Sequence, residues 1–351
     1  MTVTYEDVTG AARRIAGHVL RTPVLEVSPG LFLKLEQLQH SGSFKVRGAF
    51  NRILSAGELP PAGVIAASGG NHGLAVAHAA RALGVRAEIF VPEVTNPVKV
   101  AGLRTLGAEI RQTGAIYAEA AEAAAKRAAE TGALAVHAYD QPEVIAGQGT
   151  VGLELAEQVP GVDTIVVAVG GGGLIAGVTL GAGALNAGAL TAGAVNTGAL
   201  TAGSLNTGSL TAGALDVASP DAGAPGDGTT GPRIVAVEPE LIPTLHEALR
   251  AGKPVQVPVS GVAADALGAS RIGDLAFGVC SRAGVRSVLV PDEAIVAARR
   301  TLWERHRVVA EPAGATAYAA LLSGAYTPAP GERVAVVVCG SNTDPATLNA
   351  E

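Results

Sequence analysis

The sequence predicts an α/β protein built on parallel sheets, and three observations carry that reading. Short, almost wholly apolar runs such as 64–67, 164–169 and 334–338 lack the in-and-out alternation of a half-exposed strand, as expected where both faces of a sheet are covered. Segments with helical spacing separate them at the intervals that βαβ crossovers need. Two glycine-rich stretches, Ser68-Gly69-Gly70-Asn71-His72-Gly73 and Gly170-Gly171-Gly172-Gly173-Leu174, each follow such a run and lead into a helix-like one. Both therefore fall beyond strand carboxyl ends, where sheets of this kind bind ligands.

Taken in order, Thr4 and Asp7 cap a first helix running to about Gly17, and residues 31–35 alternate toward a strand. Residues 41–50 combine a polar turn with a helix start. A strand at 64–67, a helix at 71–83, a strand at 87–91, a helix at 97–106, a strand at 109–112 and a helix at 116–130 make one βα series. A second begins with a helix near Gly147 and continues with strands at 164–169, 234–237, 285–290 and 334–338. Crossovers between parallel strands are right-handed by default. The pattern alone implies two α/β lobes.

With 351 residues the chain is long enough for two modest domains. Its 48% apolar and 16% charged residues describe a globular chain, and a net charge of −6 without any basic run gives nucleic acid no electrostatic footing. Glu6 and Asp7 stand where a secretory signal needs an apolar core, which argues against export. The longest apolar stretch, 165–180, is cut by four consecutive glycines and is too short to span a bilayer, so no membrane association is expected. Two cysteines, Cys280 and Cys339, cannot build a disulfide framework and fit a reducing, cytoplasmic location.

The chemistry centres on Ser41-Gly42-Ser43-Phe44-Lys45-Val46-Arg47-Gly48-Ala49-Phe50. A lysine that acts as an amine nucleophile must lose its proton near neutral pH, which requires burial or a neighbouring cation. Phe44 offers an apolar neighbour, Arg47 a candidate cation, and the Val46, Ala49, Phe50 spacing a rigid helix to anchor it. By itself the decapeptide also fits an ordinary helix start with a solvated lysine; the two glycine loops shift the balance. Their small residues let backbone N–H groups approach an anion at a helix N-terminus.

In this order and at these separations, the three stretches resemble the pyridoxal-phosphate enzymes of the tryptophan synthase β class (fold type II), specifically the serine/threonine dehydratase and serine racemase family. The likeness extends through His137-Ala138-Tyr139-Asp140-Gln141-Pro142, Ala146-Gly147-Gln148-Gly149-Thr150, Val237-Glu238-Pro239, Trp303-Glu304-Arg305, Glu311-Pro312-Ala313-Gly314 and Cys339-Gly340-Ser341-Asn342-Thr343-Asp344. It covers nearly the whole chain apart from 181–231. The resemblance implies a larger domain from residues 1–62 and 141–351, a smaller one at 63–140 inserted into it, an active site in the cleft between them, and a homo-oligomer, dimer or tetramer.

By the same resemblance, pyridoxal 5'-phosphate is the cofactor and Lys45 forms the Schiff base with its aldehyde and serves as the base for the substrate α-proton. Phe44 packs beside the ring, Asn71 hydrogen-bonds its hydroxyl, Gly170, Gly171, Gly172, Gly173 and Leu174 cup the phosphate, and Cys339 faces the pyridine nitrogen. Ser68, Gly69, Gly70 and His72 lie on the loop that gathers the substrate carboxylate; for His72, a hydrogen-bonded place at a helix start is the competing role. A thiol is a weak donor that leaves the ring nitrogen unprotonated, which suits elimination. Two departures narrow the reading. Where the racemases carry a serine before the Gly-Asn-His triplet, this chain has Gly69. Where metal-binding members follow a glutamate six residues later with an aspartate, Glu238 is followed by Thr244, which argues against a divalent ion there.

The expected activity is a threonine/serine ammonia-lyase giving 2-oxobutanoate or pyruvate plus ammonia from an amino-acid substrate. Serine racemase is the nearest rival, with β-replacement or threonine synthase chemistry and a non-catalytic ligand sensor behind it. The chain ends at Glu351 soon after the cofactor-contacting segment, so no feedback domain is expected. Residues 182–216 are seven successive pentapeptides of the AGALN and AGALT kind, followed by a Pro/Gly/Asp-rich tail to Gly231. A low-complexity surface insertion fits, because glycine at every repeat makes ordering costly; a short β-solenoid with the central Leu or Val stacked inward is the alternative.

Overall fold

The computed structural model of the chain describes residues 2–95, 97–184 and 231–349. The pentapeptide block from residue 185 onward, and the tail to residue 230, lie outside the described residues.

Two sheets organise the molecule. The first contains β1 (Val24–Ser28), β2 (Leu31–Leu35), β7 (Thr164–Ala168), β8 (Arg233–Pro239), β9 (Arg286–Val290) and β10 (Val334–Val338), in the order β1-β2-β10-β7-β8-β9. All its neighbours are parallel except the β1–β2 hairpin. The second contains β3 (Val64–Ala67), β4 (Ala87–Val91), β5 (Glu109–Gln112) and β6 (Leu134–Ala135), in the order β5-β4-β3-β6, all parallel. Every residue of β7 and β10 is buried, as their almost wholly apolar sequences require. The expected parallel α/β fold is present.

Helices α1 (Tyr5–Arg14), α2 (Lys45–Leu54), α3 (Asn71–Ala82), α4 (Pro97–Thr105), α5 (Tyr117–Thr131), α6 (Pro142–Gln158) and α7 (Gly173–Gly181) precede the insertion. After it come α8 (Thr244–Ala251), α9 (Ala264–Leu267), α10 (Asp274–Arg282), α11 (Asp292–His306) and α12 (Pro312–Ser323). Thr4 and Asp7 form the reciprocal capping box of α1, which ends at Arg14, short of Gly17, where the backbone turns with φ +80°. Helix α6 starts at Pro142 and not near Gly147, because proline at the first helical position is already set for the helix and lacks only an N–H that no partner would have taken. Gly147 lies inside it and lets α2 come close: a Cβ there would sit 2.7 Å from the Gly48 Cα.

Helix α2 joins the two halves. Val46, Ala49, Phe50 and Ile53 bury into the apolar cluster shared with α3 and the four-stranded sheet, while Gly48 lies against α6. Between α2, β2 and α6 sits a buried ionic cluster. The Arg47 guanidinium donates to Glu36 Oε1 and Oε2, both at 2.8 Å, and to Glu154 Oε1 at 2.7 Å. Lys34 Nζ donates to Glu154 Oε2 at 2.5 Å, Gln158 Oε1 at 2.8 Å and the Thr22 carbonyl at 2.8 Å. Burial opposes each charge, yet Arg47 holds Glu36 below its ordinary range, and Glu36 with Glu154 keeps Arg47 charged. Two cations meet two carboxylates, so pairing offsets part of the desolvation cost, although burial still draws Lys34 below its ordinary value. Among the described residues no helix is long and apolar enough to cross a membrane.

Candidate active site

The carboxyl ends of β10, β7, β3 and β4 converge on one cleft of about 480 Å³ lined from both sheets, including Lys45, Ser68, Asn71, Tyr139 and Gly171. It continues inward to a narrow recess walled by Phe44, Gly170 to Leu174, Glu311 and Cys339. A larger hollow of about 630 Å³ lies at the other end of β2 and β10, lined by residues including Ser28, Phe32 and Arg333. It sits at the strand amino ends and lacks a buried nucleophile, so chemistry belongs to the first.

Lys45 opens α2. Ser41 (φ 60°) and Gly42 (φ +74°) make the turn before it. The Phe44 N–H then donates to the Cys339 carbonyl at 3.2 Å, tying the lysine segment to the end of β10. The Lys45 amine donates to the Ala138 carbonyl at 2.7 Å and stands 5.2 Å from the Phe44 ring centroid. No carboxylate pairs with it among the described residues, and burial pulls its pKa down to about 8, against the opposing pull of Cys339 and Glu311. Arg47 has no part in this: its guanidinium is spent on Glu36 and Glu154 on another face of the helix.

The loop Gly170 to Gly173 runs from β7 into α7. Gly172 has φ +90°, a conformation that a side chain resists, and the Tyr139 ring occupies the space that a Cβ on Gly171 would take. No side chain caps α7, and Gly172, Gly173 and Leu174 at its start line the recess. Helix α3 repeats the arrangement: its N-cap is Gly70, again without a side-chain cap. Ser68 Oγ accepts from the Gly70 N–H at 3.2 Å. Gly69 lies against Thr95, whose Cγ2 would be 2.9 Å from an added Cβ.

His72 lines the cleft, but its Nε2 is 2.8 Å from the Val136 carbonyl, and burial, then Lys45, push its pKa down to about 3. The ring is neutral and donates to that carbonyl, which gives it a packing task at the helix start. Asn71 Nδ2 donates to Glu311 Oε1 at 2.6 Å, and Asn71 Oδ1 accepts from Asn342 Nδ2 at 2.7 Å. Burial raises Glu311 to about 7. The Cys339 thiol donates to the Ala313 carbonyl at 3.5 Å and is pushed up to about 12 by burial, so it stays protonated and a poor acid. Lys99 of α4 and Asp265 of α9 form an ion pair across the cleft mouth.

The donor set fits the cofactor that the sequence implies. Two uncapped helix N-termini offer places for a phosphate and a carboxylate, a partly buried amine without a carboxylate partner stands between them, and the glycine loop admits an anion by main chain alone. Glu238 has a different occupation. Its carboxylate accepts from the N–H groups of Leu245 (2.7 Å) and His246 (2.8 Å), the Thr244 hydroxyl lies 2.9 Å away and Ser287 Oγ 3.4 Å away, and the described residues hold no three-residue metal-ligating group. Sequence reasoning assigned no role to Glu311, Tyr139, Asn342 or the Lys99–Asp265 pair. A glutamate directly before Pro312 was the one usable signal for Glu311, since that position starts a helix.

Comparison with known proteins gives three kinds of likeness. The family profile described as "Pyridoxal-phosphate dependent enzyme" matches residues 15–211 and 193–340. An L-threonine ammonia-lyase of Thermotoga maritima is 35% identical over 350 residues, 97% of this chain and 76% of that protein. A phenylserine dehydratase of Ralstonia pickettii is 32% identical over 353 residues, 97% of this chain and 94% of its own length. Among solved structures, maize serine racemase superposes with a TM-score of 0.81 at 32% identity, covering 99% of this chain and 96% of that one.

Proposed function

The chain belongs to the pyridoxal-phosphate dependent enzyme family, and from that premise we propose that it is a threonine/serine ammonia-lyase converting L-threonine to 2-oxobutanoate, or L-serine to pyruvate, with release of ammonia. Pyridoxal 5'-phosphate is its cofactor. The observation that carries the reading is the Lys45 amine, without a carboxylate partner and drawn down to about pH 8 by burial, held beside two uncapped helix N-termini.

In this reading the residues divide the work as follows. The cofactor, when bound, supplies an electron sink for charge developing at the substrate Cα. Gly170 to Leu174 would hold its phosphate with main-chain donors, with Phe44 beside its ring and Asn71 at its ring oxygen. The N-terminus of α3, with Ser68, Gly69 and Gly70, receives the substrate carboxylate. Lys45 Nζ, its pKa drawn down to about 8 by burial, is far easier to deprotonate than an ordinary lysine and accepts the α-proton. Cys339 keeps its own proton and would leave the ring nitrogen unprotonated, a setting suited to elimination of the β-hydroxyl. Loss of water and hydrolysis of the freed enamine complete the conversion. We assign residues 1–62 and 141–351 to the larger domain and 63–140 to the smaller; the two separate sheets support that division.

Serine racemase is the second reading, favoured by the maize likeness. Position 69 opposes it: glycine carries no acid, and the space beside it is filled by Thr95. Incubating the purified protein with L-serine and with L-threonine, and measuring keto acid, ammonia and D-serine together, separates the two. Keto acid in excess of D-serine supports the lyase; D-serine in excess rejects it.

A further inference from the structure

Most buried ionisable groups outside the lysine site are accounted for by partners. Glu36 and Glu154 are neutralised by Arg47 and Lys34, Glu238 accepts hydrogen bonds from surrounding donors, and Glu332 is engaged by Arg233, Thr164 and Tyr326. Glu311 differs. It is 4% exposed, stands directly before α12 without capping it, and borders the recess that also holds Lys45 and Cys339. Its hydrogen bond from a side chain comes from Asn71.

That bond is the end of a chain whose direction is forced. The Ser41 carbonyl can only accept, so Asn342 must turn its amide nitrogen toward it, at 2.8 Å. The same nitrogen donates to Asn71 Oδ1 at 2.7 Å, which turns the Asn71 nitrogen toward Glu311, at 2.6 Å. A carboxylate can only accept, and therefore agrees with that orientation. One hydrogen on Asn71 Nδ2 is then left over. Gly340 makes room for the arrangement, because a Cβ there would run into Glu311 Oε1.

We propose that Glu311 is a positioning residue for the cofactor, locking the Asn71 amide so that its free N–H is presented to the ring oxygen in the recess. Glu311 acts through Asn71 and needs no contact of its own with substrate. The charged or ionisable groups around it are Lys45 of α2, Lys99 of α4, Asp265 of α9, Arg299 of α11 and Cys339 after β10. Burial, only partly offset by the Asn71 hydrogen bond and these mixed charges, brings Glu311 to about 7, so cofactor binding and its visible band carry a pH dependence in that range. This rests on the family-level reading of the site, and the test keeps the two apart.

The experiment titrates cofactor-free protein with pyridoxal phosphate, reading affinity from the visible band for wild type, Glu311→Leu, Glu311→Gln, Asn71→Ala, Asn342→Ala and the double variant Glu311→Leu/Asn71→Ala. Expected results are a loss of about tenfold in affinity for Glu311→Leu, near-complete rescue in Glu311→Gln, whose amide oxygen still accepts, and a double variant no weaker than Asn71→Ala alone. Asn342→Ala, at the other end of the chain, weakens affinity in the same direction and covers the case in which Glu311→Leu does not fold. The wild-type band shifts with pH near neutrality and the Glu311→Gln band does not. Additive losses in the double variant, or unchanged affinity in both Glu311→Leu and Asn342→Ala, overturn the proposal. A wild type that binds no pyridoxal phosphate overturns the reading of the whole site instead.

Discussion

Lys45 and Arg47 share the first turn of α2 and are buried in opposite ways. Arg47 turns into a cluster where Glu36, Glu154 and Lys34 balance charge within hydrogen-bond distance. Lys45 turns into the cleft, where a carbonyl is its hydrogen-bond partner and burial lowers its pKa to about 8. One region invests buried charge in holding β2, α2 and α6 together. The other leaves an amine poorly compensated, and an amine that is easily deprotonated is a reactive one. The difference teaches that burial of a cation says little until its partners are counted.

The contrast can be broken at either residue. Removing the amine in Lys45→Ala should lower turnover with L-threonine by about 10³-fold while leaving the far-ultraviolet circular dichroism unchanged; a variant within tenfold of wild type would mean that Lys45 is not the base. Arg47→Ala strips Glu36 of its close cation in a buried site, leaving Glu154 to Lys34, and should cost about 3–5 kcal/mol in urea unfolding. A loss below 1 kcal/mol would show that water already reaches the cluster.

A third variant sharpens the comparison. In the unfolded chain Lys45 holds its proton up to about pH 10.5, whereas the folded protein releases it near pH 8. Between those values the unfolded state binds more protons, so this group makes stability rise with pH; below pH 8 its full penalty is present. Cofactor-free Lys45→Met should therefore be more stable than wild type at pH 7, by up to about 3 kcal/mol, a ceiling since the cleft admits water. The gap should narrow as pH climbs from 8 toward 10. Denaturant midpoints at pH 7 and pH 9.5 read it, and a gap that widens contradicts the assignment. The smallest effect is remote from both sites: Thr4→Ala removes half of the α1 capping box and should cost about 1 kcal/mol with activity unchanged.

Much of this was legible from residue patterns. The apolar runs of β7 and β10 and the glycine loops after β7 and β3 carry local signals strong enough to place the cleft, and the capping box at Thr4 places the start of α1. What was missed has physical reasons. β1 is exposed along much of its length and β6 has two residues, so neither has an apolar period to detect. Arg47 invited a role as the cation beside Lys45, but residues at that spacing on a helix point to different faces. Glu311, Asn71 and Asn342 meet only because β10 ends where α3 and α12 begin, and no local pattern encodes such a meeting.

The account depends most on Lys45 carrying the cofactor. Adding pyridoxal phosphate to cofactor-free protein, fixing the adduct with borohydride and mapping the labelled peptide tests this directly. The account predicts a yellow protein, stoichiometric label on Lys45 alone, and no visible band of that kind in Lys45→Ala. Label on other lysines, or a band unchanged in Lys45→Ala, would contradict it.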